Sequence, residues 1–210
     1  MGCRRSLKLG FIGGVELDTE KAITSEVSRS HSWAEIREGS SNTLAHYLDH
    51  LEETIAWLHR SIGHGNGGSC AYYGVWGQWS RPYPETTGYL IPTLLQYANR
   101  KGDVEPQTRA IQLGEWLLGI QEEAGYWHGG MHPPSDAEPS IFNTGQILLG
   151  LSALFDETKE ERWLDAARKG AEWLAQGVDA TGQWQKGNYR AGYNPSYYTR
   201  VAWTMLEVWH

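Results

Sequence analysis

The chain predicts an all-α protein, a section of an α/α toroid made of about three αα-hairpin repeats, and two observations carry that expectation. The first is a phrase that returns three times. A helical run closes on Trp-Leu at Trp57, Trp116 and Trp173, a glycine- and aromatic-rich loop follows, and an apolar run then opens near Thr87, Thr144 and Thr199. The Trp-Leu pairs are spaced 59 and 57 residues apart and the threonines 57 and 55. Such a period implies one supersecondary unit that cannot bury its apolar face alone and stacks on its neighbours. The second observation is the contrast within each unit, where the first helix is amphipathic and the second is almost wholly apolar. A helix apolar all round belongs in an interior. Second helices are therefore expected inside, first helices outside, with the long loops gathered at one mouth.

Residues 1–41 are polar and serine-rich and read as a poorly ordered arm, with room for a short helix near Glu20 to Val27. The repeat domain spans 42–210, with hairpins at about 42–100, 105–158 and 160–210. In the first, Leu44, Tyr47, Leu48, Leu51, Ile55 and Leu58 recur at helical intervals from Asn42 to about Ile62. The loop GHGNGGSCAYYGVWGQWSRPYPE leads into TTGYLIPTLLQYANR, where Pro92 is expected to kink the helix or to mark where regular geometry begins. The second unit runs from a helix at about Glu105 to Glu122, through AGYWHGGMHPPSDAEPS, into FNTGQILLGLSALFDETK. The third runs from about Glu160 to Gly177, through DATGQWQKGNYRAGYNPS, into YYTRVAWTMLEVWH. Short turns such as Lys101-Gly102-Asp103 join the units.

At 210 residues the chain is long enough for one domain with a substantial core. Eleven Trp and eleven Tyr against three Phe favour aromatics that carry a polar atom, which suit half-wet surfaces. A formal charge of −7 argues against nucleic acid and anionic membranes as partners, because phosphate neutralisation needs clustered Lys and Arg. Cys3 and Cys70 are the only cysteines, too few for a disulfide framework or a cysteine zinc site. No run reaches the ~18 apolar residues of a membrane span. The opening MGCRRS matches the myristoylation pattern at Gly2 and Ser6, with Cys3 placed for palmitoylation; without a recognised signal peptide or span, the expected location is cytoplasmic.

Gln121, Gly125 and Trp127 spell Gln-x-x-x-Gly-x-Trp, which resembles the QW repeat of the squalene and hopene cyclases, members of the α/α-toroid group. The interval recurs from Trp173 to Trp184 with Gly182 in place and Val178 where the glutamine would stand. That resemblance implies a scaffold that ties helix ends together. From about Trp57 to His210, the phrases RPYPETTGYLIPTLLQYA, FNTGQILLGLSALF and TRVAWTMLEV resemble bacterial toroid proteins found with polysaccharide-synthesis enzymes. Those are grouped with the six-hairpin glycosidases, lyases and uronosyl epimerases, so the resemblance implies a glycan-related role. Closed toroids of these groups have about five to seven hairpins, whereas three are legible here. Either the chain is a piece or a short form of a longer toroid, or a homodimer covers the open flanks, which would otherwise expose a large apolar patch.

Candidate chemistry lies in the three loops. Glu85 stands at a helix start, where the dipole and backbone N–H groups favour its charge, and can serve as a general base or bind sugar hydroxyls; equally, Glu85 or Thr86 can simply cap the helix. Trp79, Arg81, Tyr83 and Tyr89 accompany it. The second loop brings Trp127, His128, His132, Asp136 and, at the next helix start, Asn143. His128 and His132 can transfer protons, but no third ligand is evident for a metal, and no cofactor is expected. The third loop adds Trp184, Tyr189, Tyr198 and Arg200; Arg and Tyr together suit a uronate, one neutralising the carboxylate and the other moving a proton. The expected catalytic set is Glu85, His128, Tyr198 and Arg200. Trp79, Arg81, Tyr83, Tyr89, Trp127, His132, Asp136, Asn143, Trp184 and Tyr189 are expected to bind substrate. Paired carboxylates for glycoside hydrolysis are available in Glu85 and Asp136, with Glu138 a third. The absence of DxDD and DDxxD argues against polyprene cyclisation. The function expected is hydrolysis, elimination or epimerisation of a polysaccharide or uronate-containing glycan in an aromatic cleft. The alternative is a non-catalytic glycan-binding or scaffold module, in which the tryptophans stack on sugar rings.

Overall fold

The computed structural model describes residues 41–136, 138–190 and 192–209. The serine-rich arm, the Glu20 to Val27 helix and the MGCRRS segment lie outside them. The described residues form six α-helices: α1 (Ser41–His64), α2 (Pro84–Lys101), α3 (Val104–Gly119), α4 (Ile141–Thr158), α5 (Glu161–Gln176) and α6 (Thr199–Trp209), the last preceded by a 3-10 turn at Ser196–Tyr198. They contain no β-strand. The all-α expectation holds, and each long loop joins two helices, as the period implied. The chain divides into two compact units, Met1–Glu53 and Thr54–His210. The first is described only from Ser41 onward, as the start of α1, where Tyr47, Leu48 and Leu51 form an exposed apolar stripe.

In the second unit, α2 packs on α3 and α4, and α4 packs on α5 and α6; α3 also meets α4, and α5 meets α6. The helix most enclosed is therefore α4, whose sequence ILLGLSAL is the most apolar of the set. Ile147, Leu148, Leu151 and Leu154 are fully buried there. From the outer helices, Leu113 and Leu117 of α3 and Trp163, Ala167 and Leu174 of α5 complete the core, which Ile55 and Ile62 of α1 also join.

Glycines set how closely these helices approach. A Cβ on Gly150 would lie 2.3 Å from the Gly88 carbonyl oxygen, and one on Gly88 would lie 2.7 Å from Ile147 Cα. Pro92 sits inside α2 and has no N–H to return to the Gly88 carbonyl four residues earlier. The helix nevertheless runs unbroken to Lys101, with the Gly88 carbonyl turned towards the bare backbone of Gly150.

Helix ends follow the local chemistry. Asp103 caps α3 by accepting from the Glu105 N–H, and Ser140 caps α4 by accepting from the Asn143 N–H. Gly102 closes α2 in the left-handed conformation at φ 67°. The second unit's outer helix, expected to reach Glu122, ends at Gly119. There the Gln121 side chain turns back, its amide donating to the carbonyls of Gly125 (2.9 Å) and Ala166 (3.0 Å), and so ties the loop to α5.

One expectation needs correction. The third apolar helix, α6, is not enclosed: Val201, Thr204 and Val208 are buried, while Ala202, Trp203, Leu206 and Trp209 are exposed. Sequence reads a helix's apolarity but not which of its faces has a neighbour. Among the described residues no helix is long and apolar enough to cross a membrane.

Candidate active site

Three loops meet over the N-terminal ends of α2 and α4 and enclose a cleft of about 660 Å³. Tyr83 and Glu85 come from the first; Asp136, Glu138 and Asn143 from the second; Asn188, Tyr189 and Tyr197 from the third. The loops are pinned to one another through backbone groups. Arg81 Nη1 donates to the Pro133 carbonyl at 2.7 Å, the His132 N–H to the Pro82 carbonyl at 2.8 Å, and the Ile141 N–H to the Gly187 carbonyl at 3.0 Å.

Glu85 is the carboxylate with the most developed surroundings. It lies in the first turn of α2, behind Pro84, which presets the helical φ. Tyr89, one turn on, donates its hydroxyl to Glu85 Oε1 at 2.8 Å, and the Tyr83 hydroxyl is within hydrogen-bonding reach of Glu85 and Asn143. Burial pushes the Glu85 carboxyl above the usual carboxylate range; the two tyrosine hydroxyls and the positive charge of Arg200 offset only part of that. Both phenols are pushed above their ordinary value, first by burial and then, for Tyr89, by the hydrogen bond to Glu85, for Tyr83 by its negative charge. The tyrosines therefore stay protonated as donors, and Glu85 is the group that exchanges a proton.

The other expected catalytic residues are placed differently. His128 is held on both sides, Nε2 against Glu122 Oε1 at 2.7 Å and Nδ1 against the Glu138 carbonyl at 3.2 Å, and it does not line the cleft. Tyr198 is buried, edge-on to Trp184 and Tyr197, with its hydroxyl accepting from the Tyr189 N–H. Its phenol is pushed up by burial. Arg200 is exposed at the start of α6, and its charge reaches Glu85 and Tyr89. The set Glu85, His128, Tyr198 and Arg200 is thus not assembled at one point.

Of the residues expected to bind substrate, Tyr83, Asp136, Asn143 and the fully exposed Tyr189 line the cleft, and Tyr89 reaches it through Glu85. Trp127 and Trp184 do not. Both are buried, with indole N–H groups donating to the Leu117 carbonyl at 2.8 Å and the Leu174 carbonyl at 2.9 Å. Each closes the end of the helix ten residues before it, which leaves no ring face for a sugar. Trp79 packs among Trp57, His64 and Tyr73, away from the cleft. Arg81 is spent on the Pro133 carbonyl. His132 sits edge-on to Trp116, its pKa lowered by burial and then by the charges of His128 and Arg81.

Phe142, Asn188 and Tyr197 escaped the sequence reading and belong to the cleft wall. Phe142 and Tyr197 meet edge to face with centroids 5.0 Å apart. Asn188 donates to the Trp184 carbonyl at 2.6 Å while its Oδ1 has no partner. Among the described residues, no three His, Cys, Asp or Glu side chains converge to hold a metal ion. The chain matches no family model, no curated protein and no solved structure. Function has to be argued from the cleft.

Proposed function

We propose that the chain is a section of an α/α toroid and that its cleft processes a polysaccharide or uronate-containing glycan by general acid–base chemistry centred on Glu85. The observation that carries this reading is the Glu85 carboxyl, half-buried between two tyrosine donors and with its proton affinity raised, in a cleft that Asp136 and Glu138 also line. A protonated carboxylic acid can give its proton to a leaving glycosidic oxygen, while a second, solvated carboxylate activates water or attacks the sugar carbon. Hydrolysis is favoured over elimination and epimerisation. Those need a base placed to take a proton from carbon, and His128 and Tyr198, the residues expected to move it, are committed elsewhere. Tyr189, Tyr197 and Phe142 supply the rim on which a sugar ring can stack.

The toroid reading rests on contacts that recur with the sequence period. Trp127 and Trp184 close successive outer helices in the same way, and Thr87 and Thr144 accept from the Ser69 and Trp127 N–H groups at 3.0 and 3.1 Å. A binding module without turnover is the second reading, favoured by the exposure of Tyr189 and Asp136 at the mouth.

A panel of neutral and uronate-containing polysaccharides, assayed for reducing ends with the parent and Glu85→Gln, separates them. Hydrolysis predicts turnover by the parent and a loss of roughly 10²–10⁴-fold in the variant, with binding retained. Binding without turnover in the parent selects the module, and neither binding nor turnover sinks both.

A further inference from the structure

The groove that α5 and α6 leave open has a counterpart inside the same chain that is already filled. Between α3 and α4, the buried ring of Trp163 lies against Gly114 and its neighbour Leu154, so that the first turn of α5 keys into the preceding pair of helices. A Cβ on Gly114 would stand 2.3 Å from Leu154 Cδ1 and 2.9 Å from the Trp163 ring, which marks how tightly that key fits. Leu164 and Ala167 continue the stripe along α5.

Carrying the repeat forward moves this lock by one unit. With Trp116 and Trp173 in register, Ala171 takes the place of Gly114; with Thr144 and Thr199 in register, Trp209 takes the place of Leu154. Both residues line an open groove of about 460 Å³ between α5 and α6, together with Ala175, Met205, Val208 and the charged Arg168 and Glu172. Ala171 and Ala175 leave room in the groove, and Trp209 in its lining is 84% exposed.

Carrying the repeat backward finds the key. With Trp57 and Trp173 in register, Tyr47, Leu48 and Leu51 of α1 take the places of Trp163, Leu164 and Ala167. All three are exposed, Tyr47 at 67%. Among the described residues, the chain therefore carries an open lock and an exposed key with the register of a contact it already makes internally. A surface that fits a different surface on an identical molecule makes a head-to-tail contact, which gives a ring when the rotation closes and a filament when it does not.

We infer that copies of this chain associate head to tail, the Tyr47–Leu48–Leu51 stripe of one copy entering the groove around Ala171 and Trp209 of the next. The contact between outer helices carries the association. On the inner side Arg200 replaces the glycine that follows the threonine in the first two units, where Gly88 and Gly145 admit Ile147 and Val201, so a close approach of inner helices is not repeated there. The inference rests on the repeat register and not on the chemistry of the cleft, so its failure leaves the glycan reading standing.

Complementation of two variants decides it. Sedimentation velocity on the full chain over a concentration series is expected to show a dimer or larger assembly for the parent. Tyr47→Asp with Leu51→Asp removes the key, and Trp209→Asp spoils the lock; each variant alone is expected to sediment as a monomer with the parent's helical circular dichroism. Mixed in equal amounts they are expected to recover a dimer, because one variant keeps an intact lock and the other an intact key. If an aspartate variant loses its helicity, the milder Tyr47→Ser and Trp209→Ser are mixed instead. A parent that stays monomeric, a variant that assembles as the parent does, or a mixture that stays monomeric overturns the inference.

Discussion

Glu85 links the chemistry of the cleft to the stability of the fold. Its folded-state affinity for a proton is raised above the ordinary value of 4.5, so the folded chain holds that proton more tightly than the unfolded chain. The stability it permits is full below the unfolded value and is lost as pH rises through the folded one. Glutamine has no proton to lose. The melting temperature of Glu85→Gln relative to the parent should therefore rise from about pH 4 upward and level off once the parent's Glu85 is ionised. A constant difference across that range would mean that Glu85 is solvated like a surface carboxylate. Tyr89→Phe deletes a donor that lowers the Glu85 value, so the alkaline limb of any pH–rate profile, where the general acid loses its proton, should move to higher pH in that variant, with little change in substrate affinity. Glu85 was legible in the sequence because an acid behind a proline at a helix start has few neighbours it can turn to. What escaped was Tyr89 as its partner, one helical turn away, since the same tyrosine also reads as a wall residue.

Among the elements, the outer helices and the loops that close them depend on groups that look dispensable in the sequence. Trp127→Phe and Trp184→Phe should each lower unfolding stability by about 1–3 kcal/mol in urea titrations, because a buried helix-end carbonyl loses its indole donor. Turnover per folded molecule should be unchanged, whereas a role in sugar stacking would cut substrate affinity first. Gly150→Ala should cost about 1–3 kcal/mol by forcing α2 and α4 apart at the Gly88 carbonyl. Gly150→Ala with stability equal to the parent's would contradict the close crossing. Tryptophan is ambiguous in a sequence because the ring that stacks on a sugar also fills a core. The discriminating signal was the interval of ten residues from Leu117 to Trp127 and from Leu174 to Trp184, which sets an indole against a helix-end carbonyl.

At the scale of the molecule, helix type and order were readable because amphipathic and apolar runs alternate at a fixed period, and burial enforces that alternation. The cleft was only half readable. Its acids stand near helix starts, where sequence points to them, but Asn188, Tyr197 and Phe142 meet only because three loops distant in sequence are pinned through backbone carbonyls, which leave no side-chain signature. The open face of α6 was unreadable for the same reason: a helix's sequence is blind to its neighbours. The central claim, that the Glu85 cleft holds a glycan, is tested most directly by carboxyl-carbon NMR on glutamate-labelled chain, with Glu85→Gln assigning the resonance. On adding an oligosaccharide, the Glu85 signal should shift and its titration midpoint, raised above the ordinary glutamate value, should move with saturation. A Glu85 signal that titrates at the ordinary glutamate value and ignores every oligosaccharide at saturating concentration would contradict the account.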